Sequence, residues 1–143
     1  MPNLQPDLAI LGFDFGMKKI GVAIGDTITY TSRPLTTIPS RDGIPSWDEI
    51  KTLINNWDIN TLVVGIPYTL NGDFQETTYA AIKFANRLKA QFSIPVHKVD
   101  ERLTTKMAKI RAKNSTNKQH SLDSIAAMII LEAWLQTHRK TNA

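Results

Sequence analysis

Three carboxylates stand where backbone elements end or begin. Asp14 closes an apolar run, Glu101 closes another, and Asp123 lies in the first turn of an apolar helix pattern. Each has an ordinary structural use when taken singly. Asp14 can cap the turn at Gly16, Asp100-Glu101 can form a solvated strand end, and an acid at a helix start is favoured by the helix dipole. A carboxylate at the end of an apolar strand is nevertheless costly unless it is paired or bound to a cation. Together the three offer hard oxygen ligands from three separate elements. A pair of divalent cations about 3.5–4 Å apart needs such ligands to activate water and to stabilise the leaving oxygen of a phosphodiester. Asp100 and Glu101 are neighbours and so point to opposite faces of a regular strand. One of them can serve such a site while the other pairs or caps.

The surroundings of these acids suit a phosphate. Gly12, Gly16 and Gly21 allow a second backbone or a phosphate to come close. Lys18 and Lys19 sit in the connection after Asp14 and could neutralise a phosphate. Between Arg102 and His120 lie Arg102, Lys106, Lys109, Arg111, Lys113 and Lys118 with no acid among them. The remaining sequence holds 11 basic and 13 acidic residues, so the whole net charge of +4 comes from that one segment. A basic stretch of this kind can be a solvated face or can track a nucleic-acid backbone, giving affinity without sequence choice.

Other chemistries find little support. There is no cysteine, which excludes a disulfide, a zinc–thiolate site or a thiol nucleophile. His97, His120 and His138 lack metal-ligand spacing, and neither a P-loop sequence nor a nucleophile elbow is present. The tryptophans and most phenylalanines fall at core spacing, which argues against base-stacking platforms. Residues 1–7 carry two prolines and no apolar run, unlike a signal peptide. No stretch approaches the roughly 18 apolar residues of a membrane span, so no membrane association is expected.

The elements that must position the acids can be read from periodicity. Residues 8–15, 20–26 and about 33–38 predict three strands of an antiparallel meander. Ser46 with Glu49 predicts a capping box, followed by a helix whose apolar face is Trp47, Ile50, Leu53, Ile54 and Trp57. Residues 61–66 form an almost wholly apolar run, as in a strand buried on both faces. A second helix carries Ala81, Phe84, Ala85, Leu88 and Phe92. Residues 94–100 predict a fifth strand. A basic helix from about 104 to 113 and an irregular loop over 114–120 lead to a last helix from about Ser121. A length of 143 residues suits one domain. The expectation is an α/β protein with a mixed five-stranded sheet, strands 1–3 antiparallel and the later ones parallel, and helices on both faces.

Four ordered motifs then resemble one known family. They are Asp14-Phe15-Gly16-Met17-Lys18-Lys19-Ile20-Gly21-Val22-Ala23, Gly65-Ile66-Pro67 with Asn71-Gly72, Asp100-Glu101-Arg102-Leu103-Thr104, and Asp123-Ser124-Ile125-Ala126-Ala127. With Arg33-Pro34-Leu35 between the first two, they resemble the YqgF-type family of candidate pre-16S rRNA nucleases, earlier described as candidate Holliday-junction resolvases. The likeness covers roughly residues 8–137. It implies an RNase H-like three-layer fold, with Asp14, Glu101 and Asp123 as catalytic acids holding Mg2+ or Mn2+. It implies a cytoplasmic location and 5′-end maturation of small-subunit rRNA in a ribosomal precursor particle. Branched DNA is the alternative substrate, and a non-catalytic RNA-binding assembly factor is the alternative role. The segment before Asp123, which reads Asn-Ser-Thr-Asn-Lys-Gln-His over 114–120, is shorter than the family pattern and lacks its glycine-rich, lysine-ended loop. Substrate preference is the property that this departure affects most.

Overall fold

The computed structural model describes residues 7–104 and 121–141. The expected basic helix, and the loop after it, lie outside the described residues. The chain folds around a sheet of six strands: β1 (Ala9–Asp14), β2 (Lys19–Asp26), β3 (Thr31–Arg41), β4 (Ile44–Pro45), β5 (Thr61–Ile66) and β6 (Val96–Asp100). Three helices are described, α1 (Trp47–Asn56), α2 (Glu76–Phe92) and α3 (Leu122–Thr141), with a 3-10 turn over Glu101–Thr104. The sheet order is β4-β3-β2-β1-β5-β6. The first four strands pair antiparallel in sequence, whereas β5 runs parallel to β1, and β6 parallel to β5. The mixed α/β sheet therefore follows the expectation, with one strand more than the five read from sequence.

That extra strand has a local cause. Asp42 and Gly43 both take positive φ, at 53° and 81°, and Arg41 pairs with Ile44 across them. Two positive-φ residues make the tight hairpin turn whose hand matches strand twist. β3 is also longer than the apolar pattern indicates, because Pro34 and Pro39 interrupt its alternation. Both prolines are tolerated here. The pairing with β2 slips at Val22/Ala23, opposite Pro34, and β4 borders β3 only at Ser40 and Arg41. Prolines that lack a donor belong at bulges and free edges.

Alternation along the strands divides the core into two. Leu11, Phe13, Ile20, Val22, Leu62, Val64 and Ile66 face α1 and α2, where they meet Ile50, Ala81, Phe84, Ala85 and Leu88. Ile10, Ala23, Val63 and Val99 face the other way and pack on Ala127, Ile130, Leu131 and Leu135 of α3. Every residue of β5 is buried, as its continuous apolar run predicts. Ser46 does occupy the N-cap of α1, but the expected capping box is absent, since its hydroxyl makes no cap hydrogen bond. Asp48 and Glu49 in the first turn meet the helix dipole instead. α2 starts earlier than its apolar face suggests, at Glu76, where the Gln75 amide donates to Thr78 Oγ1 (3.1 Å). Among the described residues, no helix is long and apolar enough to cross a membrane.

Candidate active site

Asp14 is the last residue of β1, the strand with partners of opposite sense on its two sides. Alternation puts it on the α3 face, in line with Ile10. Its partner across β2 is Gly21. A Cβ on Gly21 would stand 1.9 Å from the carbonyl oxygen of Asp123 and 2.8 Å from the Ser124 amide nitrogen. The first turn of α3 thus rests directly on the β2 backbone, and only glycine admits it there. The sequence reading that Gly21 lets a second backbone approach is realised by the turn that carries Asp123.

The other side of Asp14 is built alike. β5 pairs with β1 up to Phe13–Val64, so Gly65 comes next beside Asp14. A Cβ on Gly65 would meet Glu101 Oε1 at 2.9 Å and Ile130 Cδ1 at 2.5 Å. Glu101 directly follows β6, two residues beyond Val99, which packs on α3. Its carboxylate therefore lies over β5 on the α3 face. Asp14 is flanked on one hand by Gly21 with Asp123 above it, and on the other by Gly65 with Glu101 above it. The structure brings the three sequence-predicted acids to one end and one face of the sheet.

Asp100 goes the other way. It pairs in register with Ile66, which faces α1 and α2. Arg102 holds it, with Nη2–Oδ2 at 2.6 Å and Nε–Oδ2 at 3.0 Å. These side-chain hydrogen bonds keep the Asp100 carboxyl below its ordinary pKa. Of the two adjacent acids left open by the sequence, Glu101 joins Asp14 and Asp100 is a partner for Arg102. That cation is committed to this pair and to the face of Tyr68, 5.3 Å away.

Two contacts hold α3 in place. The Ser124 amide donates to Ser121 Oγ (3.1 Å), capping the helix, and the Ser121 hydroxyl shares a hydrogen bond with Thr37 Oγ1 on β3. A signal for the cap exists in Ser121 just before the helix pattern, but its partner on β3 is a tertiary fact. Lys19, expected to meet a phosphate, stands with Nζ 3.5 Å from Asp123 Oδ2 and remains largely exposed. Lys18 is exposed, with its carbonyl accepting the Ser40 amide (2.8 Å). Lys106, Lys109, Arg111, Lys113 and Lys118 lie outside the described residues.

The donor set can be compared with what a divalent ion requires. Three carboxylates are the hard ligands that magnesium or manganese takes. They arrive from three elements on one face, with glycine beneath two of them. Among the described residues, however, no three Asp, Glu or His side chains stand close enough to form a ready ligand set for one ion. The residues suit such an ion in kind, and binding it would require their side chains to converge.

Comparison with known proteins agrees with this architecture. The chain is 48% identical over 141 residues, 97% of its own length and 99% of the other, to a protein of Coxiella burnetii (strain Dugway 5J108-111) named as a candidate pre-16S rRNA nuclease. It is 44% identical over 136 residues, 92% of its own length and 96% of the other, to a protein of the same name from Saccharophagus degradans. Among solved structures, Thermus thermophilus RuvC in complex with a Holliday junction substrate superposes with a TM-score of 0.60. That match covers 94% of this chain and 97% of the other at 11% identity, and it shows the shared RNase H-like fold alone. The sequence pattern of the RuvX family, described as Holliday junction resolvase, matches residues 8–137, and the chain belongs to that family.

Proposed function

We propose that this chain, read as one nuclease domain over about residues 8–137, hydrolyses phosphodiester bonds in nucleic acid. The observation that carries the reading is the flanking of Asp14 by Glu101 and Asp123, each set over a glycine at one end of the sheet. Family membership supports a hydrolase acting on nucleic acid. The names of the relatives, at 44–48% identity over most of the chain, support precursor rRNA as the substrate. We take the role to be 5′-end maturation of small-subunit rRNA in a cytoplasmic precursor particle.

Asp14, Glu101 and Asp123 would hold Mg2+ or Mn2+. The chemistry such an ion supplies when bound is a more acidic water and charge stabilisation at the phosphate. The chain's own residues do the rest. Asp14, fixed by strands on both sides, sets the position of the scissile phosphate along the sheet edge. Glu101 and Asp123 bracket it, and their carboxylates can orient a water for attack. Lys19, already beside Asp123, can turn to a phosphate oxygen, since an exposed pair of this kind holds it by only about 0–1 kcal/mol. Lys18 and the basic residues from Lys106 to Lys118 would follow the backbone through charge, which gives affinity rather than sequence choice.

Cleavage of a four-way DNA junction is the second reading, favoured by the family's description. It uses the same acids and adds a requirement, because two symmetric cuts call for a two-fold dimer. The test of the shared chemistry is substitution of the acids. Asp14→Asn and Glu101→Gln should each lower cleavage by about a thousandfold, the several kcal/mol expected of metal-assisted hydrolysis. Nucleic-acid binding should stay near wild type. Full cleavage by either folded variant would remove the assignment.

A further inference from the structure

Three aromatic rings form a continuous row that starts at the margin of the α1/α2 core, at the sheet end that carries the acids. Tyr68 follows β5 by two residues, Phe74 lies in the loop before α2, and Tyr79 sits in the first turn of α2. Phe74 stands between the other two. Its ring centroid is 5.3 Å from that of Tyr68 and 5.2 Å from that of Tyr79, with planes inclined by 60° in both pairs. Arg102 lies over the ring of Tyr68 at 5.3 Å, and Arg102 is the residue after Glu101. The row thus shares the acids' end of the sheet but starts on the Asp100 side of it, with Tyr68 packed toward α1 and α2.

Two of the rings are exposed, and Tyr68 is half-buried beneath them. Phe74 is 50% exposed and Tyr79 63%. The buried face of α2 is Thr78, Ala81, Phe84, Ala85 and Leu88, which leaves Tyr79 pointing away from the core. The loop beneath is pinned by the Thr69 amide to the Asp73 carbonyl (3.0 Å), the Asp73 amide to Thr69 Oγ1 (2.9 Å), and the Thr78 hydroxyl to the Pro67 carbonyl. An exposed aromatic row held in this way marks a surface that meets something flat and apolar. A guanidinium stacked at one end of the row, at the sheet end where the acids gather, favours one occupant. Unpaired nucleobases supply flat π faces attached to negative charge, and aromatic side chains bind them without regard to sequence. Bases inside an intact duplex have no free face to offer.

We infer that Tyr68, Phe74 and Tyr79 form a stacking platform for unpaired bases, so that the substrate is nucleic acid with a single-stranded or unstacked stretch. The inference rests on the nuclease reading for its substrate, but its test does not depend on cleavage. A short single-stranded oligonucleotide carrying 2-aminopurine, and a duplex of the same length, would be titrated with chelator present so that nothing is cut. The proteins are wild type, Phe74→Leu, Tyr79→Leu and Asp14→Asn. Leucine keeps apolar bulk and removes the π face, and both positions are exposed enough to leave melting unchanged.

Wild type should bind the single strand more tightly than the duplex and quench the base analogue. Each leucine variant should weaken single-strand binding by about tenfold and reduce the quench, within the range measured for base–aromatic stacking. Duplex affinity should be unaltered. Unchanged single-strand affinity and quench in folded leucine variants would overturn the platform, as would absence of single-strand binding by wild type. Either result would leave the row as a surface for a protein partner. A platform that passes while Asp14→Asn still cleaves in the presence of metal would instead overturn the catalytic role of Asp14, so the two failures are distinguishable.

Discussion

Gly21→Ala should separate activity from stability. The added Cβ would stand 1.9 Å from the Asp123 carbonyl oxygen and 2.8 Å from the Ser124 nitrogen, both backbone atoms. To reach the 3.0 Å below which Cβ contacts are essentially not found, the first contact must open by roughly 1 Å. The strand is central, so α3 moves and takes Asp123 with it. Overpacking of this kind costs about 1–3 kcal/mol, which for a chain of this size lowers Tm by roughly 3–10 °C. A misplacement of about 1 Å in a catalytic group costs on the order of a hundredfold in rate. The control is Gly25→Ala, four residues along the same strand. There the Cβ would meet the Thr31 carbonyl at 2.7 Å and a Leu131 methyl at 3.1 Å, at the end of β2 away from the acids. Thermal melting and cleavage well below either Tm would be measured on both variants. We expect comparable melting losses, with a large drop in turnover for Gly21→Ala alone. Wild-type turnover in Gly21→Ala, or an equal loss in both variants, would refute the claim that the Gly21 contact places Asp123 for catalysis.

Three further outcomes follow from the same geometry. Lys19→Gln should shift Tm little, because its pair with Asp123 is exposed, while the slope of log affinity against log salt for RNA falls by about one. Asp100→Asn should retain most cleavage, unlike Glu101→Gln, and its stability loss should appear at neutral pH. The Asp100 carboxyl is held below its ordinary pKa by Arg102. Its contribution is therefore present above the ordinary aspartate range and lost as pH falls through the depressed value, where wild type and variant should converge. His97 is held below its ordinary value of 6.5 by burial first and by His138 second, with Trp134 between the two rings. The fold thus favours neutral His97. Tm should decline as pH falls below about 6.5, and His138→Gln should lessen that decline.

What can be read without coordinates is what depends on local pattern. The meander, the doubly buried β5 run and the helix faces follow from periodicity, and they fix which end of the sheet the acids reach. Opposed faces for Asp100 and Glu101 also follow from strand geometry, but which acid turns to the site does not. That choice depends on the register that sets Val99 beside Gly65 and under α3. β4 escapes the pattern although its signal, Asp42-Gly43, is in plain view, because only two residues pair beyond the turn. β3 reads short because Pro34 and Pro39 break its alternation, and their tolerance depends on a free edge. Ser46 and Glu49 spell a capping box that does not form, whereas Ser121, without such a spelling, caps α3. The exposure of Phe74 and Tyr79 is not legible in the sequence, since it depends on how the loop before α2 folds back. The closeness of Gly21 to another backbone is legible in sequence; that this backbone is Asp123 itself comes from the packing of α3.

The most direct test of the central claim is a cleavage assay with magnesium or manganese on a precursor small-subunit rRNA fragment and on a four-way DNA junction, comparing wild type with folded Asp14→Asn. The account predicts metal-dependent cleavage of the RNA that Asp14→Asn abolishes while still binding it. Cleavage of the junction alone would contradict the rRNA assignment and keep the chemistry, and RNA cleavage by Asp14→Asn at the wild-type rate would contradict the account as a whole.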